Sequence, residues 1–164
     1  MQITIPYFWK NENEKMNHSK LVIDQNKIDA EETDYLYFKT SQLSNSGNGL
    51  FTAIAIYKDE IISIFKGEIL SENEAKIREA NKDDNYFMNL LNGTILDCKN
   101  TDCFAKYAND AKGFSKSDFK NNAKISLDEN GNVCLIAIKK IKSGEEIFCD
   151  YGKRYWRKHS KPTH

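Results

Sequence analysis

Near the C-terminus the chain reads Gly144-Glu-Glu-Ile-Phe-Cys-Asp-Tyr-Gly152, with Arg154-Tyr155-Trp156 behind it. Taken alone, Glu146 to Tyr151 is a short apolar strand that ends in a glycine and an aromatic pair. Its weight comes from the stretches that stand in line with it. Upstream, Lys124 to Leu127 and Val133 to Ile138 flank Asn130-Gly131, the strongest short hairpin signal. Thr94 to Cys98 is a further short strand. Ser71-Glu-Asn-Glu74 has capping-box spacing, which predicts a helix from Glu72 to about Lys82. Leu50 to Ile56 and Glu60 to Ile69 are apolar-rich strands, and Tyr35 to Phe38 is an aromatic one. Ser44 to Gly49 is a turn in which Gly47 and Gly49 supply unusual backbone angles.

Residues 1–33 read as a separate lead-in. Ile3, Ile5 and Tyr7 alternate as in a strand, Lys10 to Lys20 is polar, and Leu21-Val22-Ile23 is a second apolar run. A hairpin packed on the main domain and a mobile arm both fit. Many short strands with one clear helix predict an all-β or β-rich α+β domain, not a Rossmann fold.

Composition bounds the function. The 164 residues make one domain with a real core. Lys plus Arg is 24 and Asp plus Glu is 24, so bulk charge does not drive binding to nucleic acid. No apolar run approaches the ~20 residues of a membrane span. The N-terminus lacks a signal-peptide pattern, so an intracellular protein is expected. Cys98, Cys103, Cys134 and Cys149 form no C-x-x-C pair, and the histidines lie near the ends. Buried free thiols are expected in preference to a zinc site or a disulfide framework.

Five stretches carry chemistry: Ser46-Gly-Asn-Gly-Leu-Phe51, Phe65-Lys-Gly-Glu-Ile69, Asp84-Asn-Tyr-Phe87, the group Leu96-Asp97, Ala105 to Ala111 and Asn121-Asn-Ala123, and the closing Ile141 to Trp156. In this order they resemble the SET domain of protein lysine methyltransferases, over about three quarters of the chain. The pattern is a G-x-G opener, Y-x-G-E, S-Y-x-F, D-A, R-F-I-N-H-S, P-N, then G-E-E-L-x-F-D-Y-G with an aromatic pair. The resemblance divides the chain into the lead-in 1–33, a SET domain 34–156 and a basic tail 157–164. It implies a β-rich fold of small curved sheets, with a C-terminal strand tucked through a loop as a pseudoknot. It also implies S-adenosylmethionine as methyl donor on one face and a lysine channel from the other.

Carried over position by position, Tyr151 matches the tyrosine whose hydroxyl lies at the methyl-transfer point. Asn48, Gly49, Tyr86, Asn109, Asp110 and Trp156 match the donor-binding positions. Phe65, Tyr107, Cys149 and Tyr155 match the substrate side. An ordinary packing role is the alternative for Tyr86, Tyr151, Tyr155 and Trp156. Departures are equally specific. Asp110 stands where the family has histidine, and its carboxylate is expected near the donor's positive charges. Lys106 replaces arginine, Tyr107 replaces phenylalanine, Phe65 replaces tyrosine, and Asn121 replaces proline. Cys149 stands where Phe or Tyr limits the methyl count, so di- or trimethyl product is expected. No post-SET zinc motif follows, which leaves the aromatic pair, the tail or a partner to complete the lysine channel.

The expected activity is protein lysine N-methylation. The partner is a protein substrate, in one reading a histone tail, with a nuclear site if so. No metal, membrane or direct nucleic-acid partner is expected. The alternative is a non-catalytic SET module that binds a protein or peptide.

Overall fold

The computed structural model describes residues 3–4, 26–90, 92–113 and 117–159. Ten short strands and three helices follow in chain order: β1 (Ile3–Thr4), α1 (Glu32–Tyr35), β2 (Leu36–Thr40), β3 (Asn48–Thr52), β4 (Ile61–Ile64), β5 (Glu68–Leu70), α2 (Glu72–Ala80), β6 (Phe87–Asn89), β7 (Ile95–Asp97), β8 (Ala123–Leu127), β9 (Val133–Ala137), β10 (Glu146–Ile147) and α3 (Gly152–His159). A 3-10 turn spans Phe104–Tyr107. The strands form three small sheets, ordered β1-β6-β7-β5, β10-β3-β2 and β4-β9-β8.

Local chemistry explains most elements. The Ser71 hydroxyl accepts from the Glu74 N–H, and the Glu74 carboxylate returns to the Ser71 N–H at 2.9 Å, so α2 starts with a full capping box. Gly131 has φ 81, and Asp128 Oδ1 accepts from the N–H groups of Asn130 and Asn132, which fixes the turn joining β8 to β9. The apolar run Glu60 to Ile69 is not one strand. It breaks between β4 and β5 at Gly67, where a Cβ would lie 2.4 Å from the carbonyl oxygen of Asp97.

The main core lies among the sheets and holds Leu50, Ile56, Ile62, Leu135, Ile141 and Ile147, all fully buried. Each such side chain stabilises the fold by roughly 1.5–3 kcal/mol relative to exposure. All four cysteines are buried and unbridged. Among the described residues, no helix is long and apolar enough to cross a membrane.

The C-terminal strand is tucked between two distant segments. Glu146–Ile147 pairs with β3, after which Cys149 N–H donates to the Asn109 carbonyl at 2.8 Å. On its other edge, the N–H groups of Asn122 and Ala123 donate to the Phe148 carbonyl at 3.1 and 2.9 Å. The Asn122 side chain adds two bonds, to the Glu146 carbonyl and from the Phe148 N–H, both 2.8 Å. This is the pseudoknot that the resemblance implies.

The two ends of the described chain both pack on the domain. The run after Tyr151 forms helix α3, which passes through residues 156 and 157. Its last turn carries Arg157, Lys158 and His159, which favours the negative end of the helix dipole. At the other end of the chain, Ile3–Thr4 pairs in parallel with β6. Ile5, Tyr7 and the run Leu21 to Ile23 lie outside the described residues.

Candidate active site

The turn between β2 and β3 forms one wall. Asn45 and Gly47 take positive φ of 61 and 66, and Ser41 N–H donates to the Gly47 carbonyl at 2.8 Å. The turn is clamped by Glu146, whose carboxylate is 2 % exposed. Its Oε1 accepts from the Ser41 hydroxyl at 2.6 Å, and its Oε2 accepts from the Gln42 N–H at 2.7 Å. Gly49 makes the clamp possible, because a Cβ there would lie 2.0 Å from Glu146 Oε1. Asn109 joins this wall to the next: its Nδ2 donates to the Asn48 carbonyl at 3.0 Å and reaches Glu146 Oε1 at 3.4 Å.

The second wall is built around Ala108 to Ala111. The Tyr151 hydroxyl donates to the Ala108 carbonyl at 2.8 Å, and the Cys149 thiol points to the same oxygen at 3.6 Å. Burial, with a smaller contribution from Cys149, holds the Tyr151 phenol well above its ordinary pKa. The phenol therefore stays protonated at neutral pH and serves as a donor, not a base. Burial also raises the Cys149 thiol.

Helix α3 supplies the third wall. The Tyr151 and Trp156 rings stack at 5.8 Å and 16°, while Tyr155 meets both edge-on at 4.7 and 5.0 Å. Lys158 ties the helix to Glu79 at 2.9 Å and ion-pairs with the buried Asp84.

A cavity of about 430 Å3 opens among these walls. It gathers Asn48, Tyr86, Tyr107, Asn109, Asp110, Tyr151, Tyr155 and Trp156, residues spread over more than a hundred positions of sequence. Three sequence-predicted site residues lie elsewhere. Gly49 sits behind the wall, against Glu146. Phe65 is 4 % exposed and Cys149 is fully buried, both in the main core. Phe65 directly follows β4, where its N–H bonds to the Val133 carbonyl and its ring turns inward. Asp110 lines the cavity and is 5 % exposed. Its carboxylate oxygens accept from the Lys112 and Tyr151 N–H groups, from Asn121 Nδ2 and from the Trp156 indole N–H.

Sequence reasoning missed Glu146, Asn121 and Gly113. Glu146 was visible as the second acid of Gly144-Glu-Glu, but that acid pair has no local partner to announce its role. Gly113 lies beneath Trp156, where a Cβ would come within 2.7 Å of the indole. Nothing local in the sequence marks it.

Comparison with known proteins agrees with this geometry. Residues 47–152 match the family model for the SET domain. The chain is 31% identical over 126 residues to histone-lysine N-methyltransferase EZH2 of Chaetomium thermophilum, covering 70% of this chain and 8% of that protein. It is 33% identical over 123 residues to histone-lysine N-methyltransferase Su(var)3-9 of Drosophila melanogaster, covering 70% of this chain and 19% of the relative. It thus spans under a fifth of either relative's length. Two inhibitor-bound structures of a humanized mutant of the Chaetomium thermophilum Polycomb Repressive Complex 2 superpose on it. Their TM-scores are 0.60 and 0.61 at 30% and 28% identity, covering 71% and 74% of this chain and 15% and 16% of those chains. The match to the family model covers more than half of the sequence, and the chain belongs to the SET domain family.

Proposed function

We propose that this domain is an S-adenosylmethionine-dependent protein lysine N-methyltransferase. The observation that carries the reading is the Tyr151 hydroxyl held on the Ala108 carbonyl at the edge of a cavity that also collects Asn48, Tyr86 and Asn109. The cavity's volume of about 430 Å3 falls in the range of small-molecule sites. Its aromatic walls suit an adenine ring, and its backbone carbonyls and amide groups suit an amino-acid end. Bound there, S-adenosylmethionine supplies an electrophilic methyl on a sulfonium.

The chain's own residues then do three things. Asn109 and Glu146 fix the G-x-G turn against the Ala108 segment, so the two sides of the cavity keep a set distance. Alignment of this kind supplies much of the rate of a displacement reaction. Tyr151 donates its proton to Ala108 and keeps its oxygen lone pairs to accept from an incoming ammonium or a polarised methyl C–H. Burial of the reacting amine helps it lose its proton, since a free lysine with pKa near 10.4 is neutral only about once in a few thousand at pH 7.

The substrate we propose is a protein lysine, with a histone tail as the first candidate because both curated relatives are named histone-lysine methyltransferases. A nuclear site of action follows for a histone substrate. Cys149 brings a small group with no hydroxyl to a position beside Tyr151, and we propose di- or trimethyl-lysine as the product. The test is transfer from labelled S-adenosylmethionine to core histones and to a mixed protein extract, with Tyr151→Phe alongside. A strongly reduced rate of labelling in the variant supports the reading. Donor binding without transfer favours a SET module that binds a protein partner, and monomethyl product alone after long incubation overturns the product assignment.

A further inference from the structure

Two departures from the family pattern touch each other. Asp110 and Asn121 are both buried, at 5 % and 9 % exposure, and Asn121 Nδ2 donates to Asp110 Oδ1 at 3.0 Å. Asn121 Oδ1 in turn accepts from the Ala111 N–H at 2.9 Å, which closes a ring of bonds. The Lys112 N–H is the second donor to Asp110 Oδ1, at 2.9 Å. The other carboxylate oxygen, Oδ2, accepts from the Tyr151 N–H at 2.9 Å and from the Trp156 indole N–H at 2.8 Å. One side chain thus joins the floor of the cavity to the start and the middle of helix α3.

All four partners are N–H donors. A carboxylate offers only acceptors and satisfies all four. An amide in its place would turn its own N–H2 toward two of them in either orientation. The indole leaves no slack for a compromise. Trp156 lies against Tyr151 at 5.8 Å on one side, and the ring approaches Gly113 so closely that a Cβ there would lie 2.7 Å away.

We propose that Asp110 is the positioning residue for this domain's donor cavity: it latches helix α3 through Trp156 and the Tyr151 backbone, so that the aromatic wall is a fixed part of the SET domain itself. This rests on the methyltransferase reading for its consequence, since the ligand held by the wall is S-adenosylmethionine. Asp110 itself transfers no proton and no methyl in this scheme. The Tyr151 hydroxyl has its own bond to Ala108, independent of Asp110. The latch therefore acts on donor affinity more than on the chemical step.

The test uses the full chain with Trp9→Phe, so that Trp156 is the single indole. In Asp110→Asn the Trp156 emission should shift to the red, the KM for S-adenosylmethionine should rise by about tenfold, and kcat at saturating donor should stay within about threefold. In a parallel chain that keeps Trp9, Trp156→Phe preserves a ring but removes the N–H, and should raise the same KM severalfold. In that chain, Asp110→Asn added to Trp156→Phe should cost little more than the larger single effect, because both act on one contact. Unchanged emission and unchanged KM in a folded Asp110→Asn would overturn the latch. So would a Trp156→Phe with native donor affinity, which decides the matter if Asp110→Asn does not fold. If the unsubstituted chain binds no donor by calorimetry, the methyltransferase reading fails, and the emission shift alone still decides the latch.

Discussion

Gly49 and Glu146 leave no room between them for one more carbon: a Cβ on Gly49 would lie 2.0 Å from the carboxylate oxygen Oε1. That oxygen already holds the Ser41 hydroxyl and touches Asn109 Nδ2. The two residues come from opposite ends of the domain, and their contact sets the width of the cavity.

Gly49→Ala should therefore force the Glu146 carboxylate off the turn. Overpacking of this kind costs typically 1–3 kcal/mol. The expected result is a lower denaturation midpoint together with a large loss of donor affinity. Glu146→Gln keeps the shape but turns an N–H2 toward Ser41 or the Gln42 N–H, and should cost about 1–3 kcal/mol by leaving a buried donor unpaired. Urea unfolding of the two variants checks both figures.

Gly113→Ala should behave differently. Its Cβ would meet the far edge of the Trp156 indole at 2.7 Å first, with the Asp110 carbonyl oxygen next at 3.2 Å. The ring has to move while the core stays packed. Weaker donor binding with a near-native melting temperature is expected, and isothermal calorimetry beside a thermal melt separates the two.

The pH dependence follows from Tyr151. Burial raises its folded pKa above the ordinary value of 10, and the same holds for Tyr35, where burial leads and Glu32 adds to it. A phenol raised in the fold stabilises it fully below the unfolded pKa, and that stability is lost as pH rises above about 10 and through the folded value. Stability measured from pH 8 to 11 should fall only on the alkaline side. Transfer rates should climb between pH 7 and 9 as the substrate amine loses its proton. Tyr151→Phe should lower kcat yet leave that climb in place. Loss of the climb in the variant would mean that the phenol titrates in this range.

Ser71→Ala separates stability from catalysis. It removes the α2 cap and should cost about 1 kcal/mol. The cap is exposed and lies outside the cavity. The melting temperature should drop with kcat and KM unchanged.

The elements legible in the sequence are those with a local cause. The capping box at Ser71, the Asn130-Gly131 turn and the alternating apolar strands each follow from residues within a few positions. The site residues were legible for another reason: separate stretches fall in a family order that no single stretch reveals. What stayed hidden depends on contacts between distant segments. The break at Gly67 comes from the Asp97 backbone passing overhead. Helix α3 reads as a charged tail because its Trp156 packs on Tyr151 and bonds to Asp110, contacts that no local pattern announces. The Asp110–Asn121 contact joins residues that look like two unrelated departures. That Phe65 and Cys149 are buried was hidden for the same reason, since only the assembled core shows which way their side chains turn.

The tucked strand Glu146–Cys149 also governs how the domain comes into being. Its bonds reach back to Ser41, to Asn109 and to Asn122, the first across 105 residues. Closures this long in sequence slow folding, because chain entropy is lost before the contacts form. On a ribosome the G-x-G turn and the Ala108 segment emerge first and must wait for the strand that joins them. The cavity is therefore a late event: its two sides exist as separate surfaces until residues near 150 dock, and both walls come together in one step.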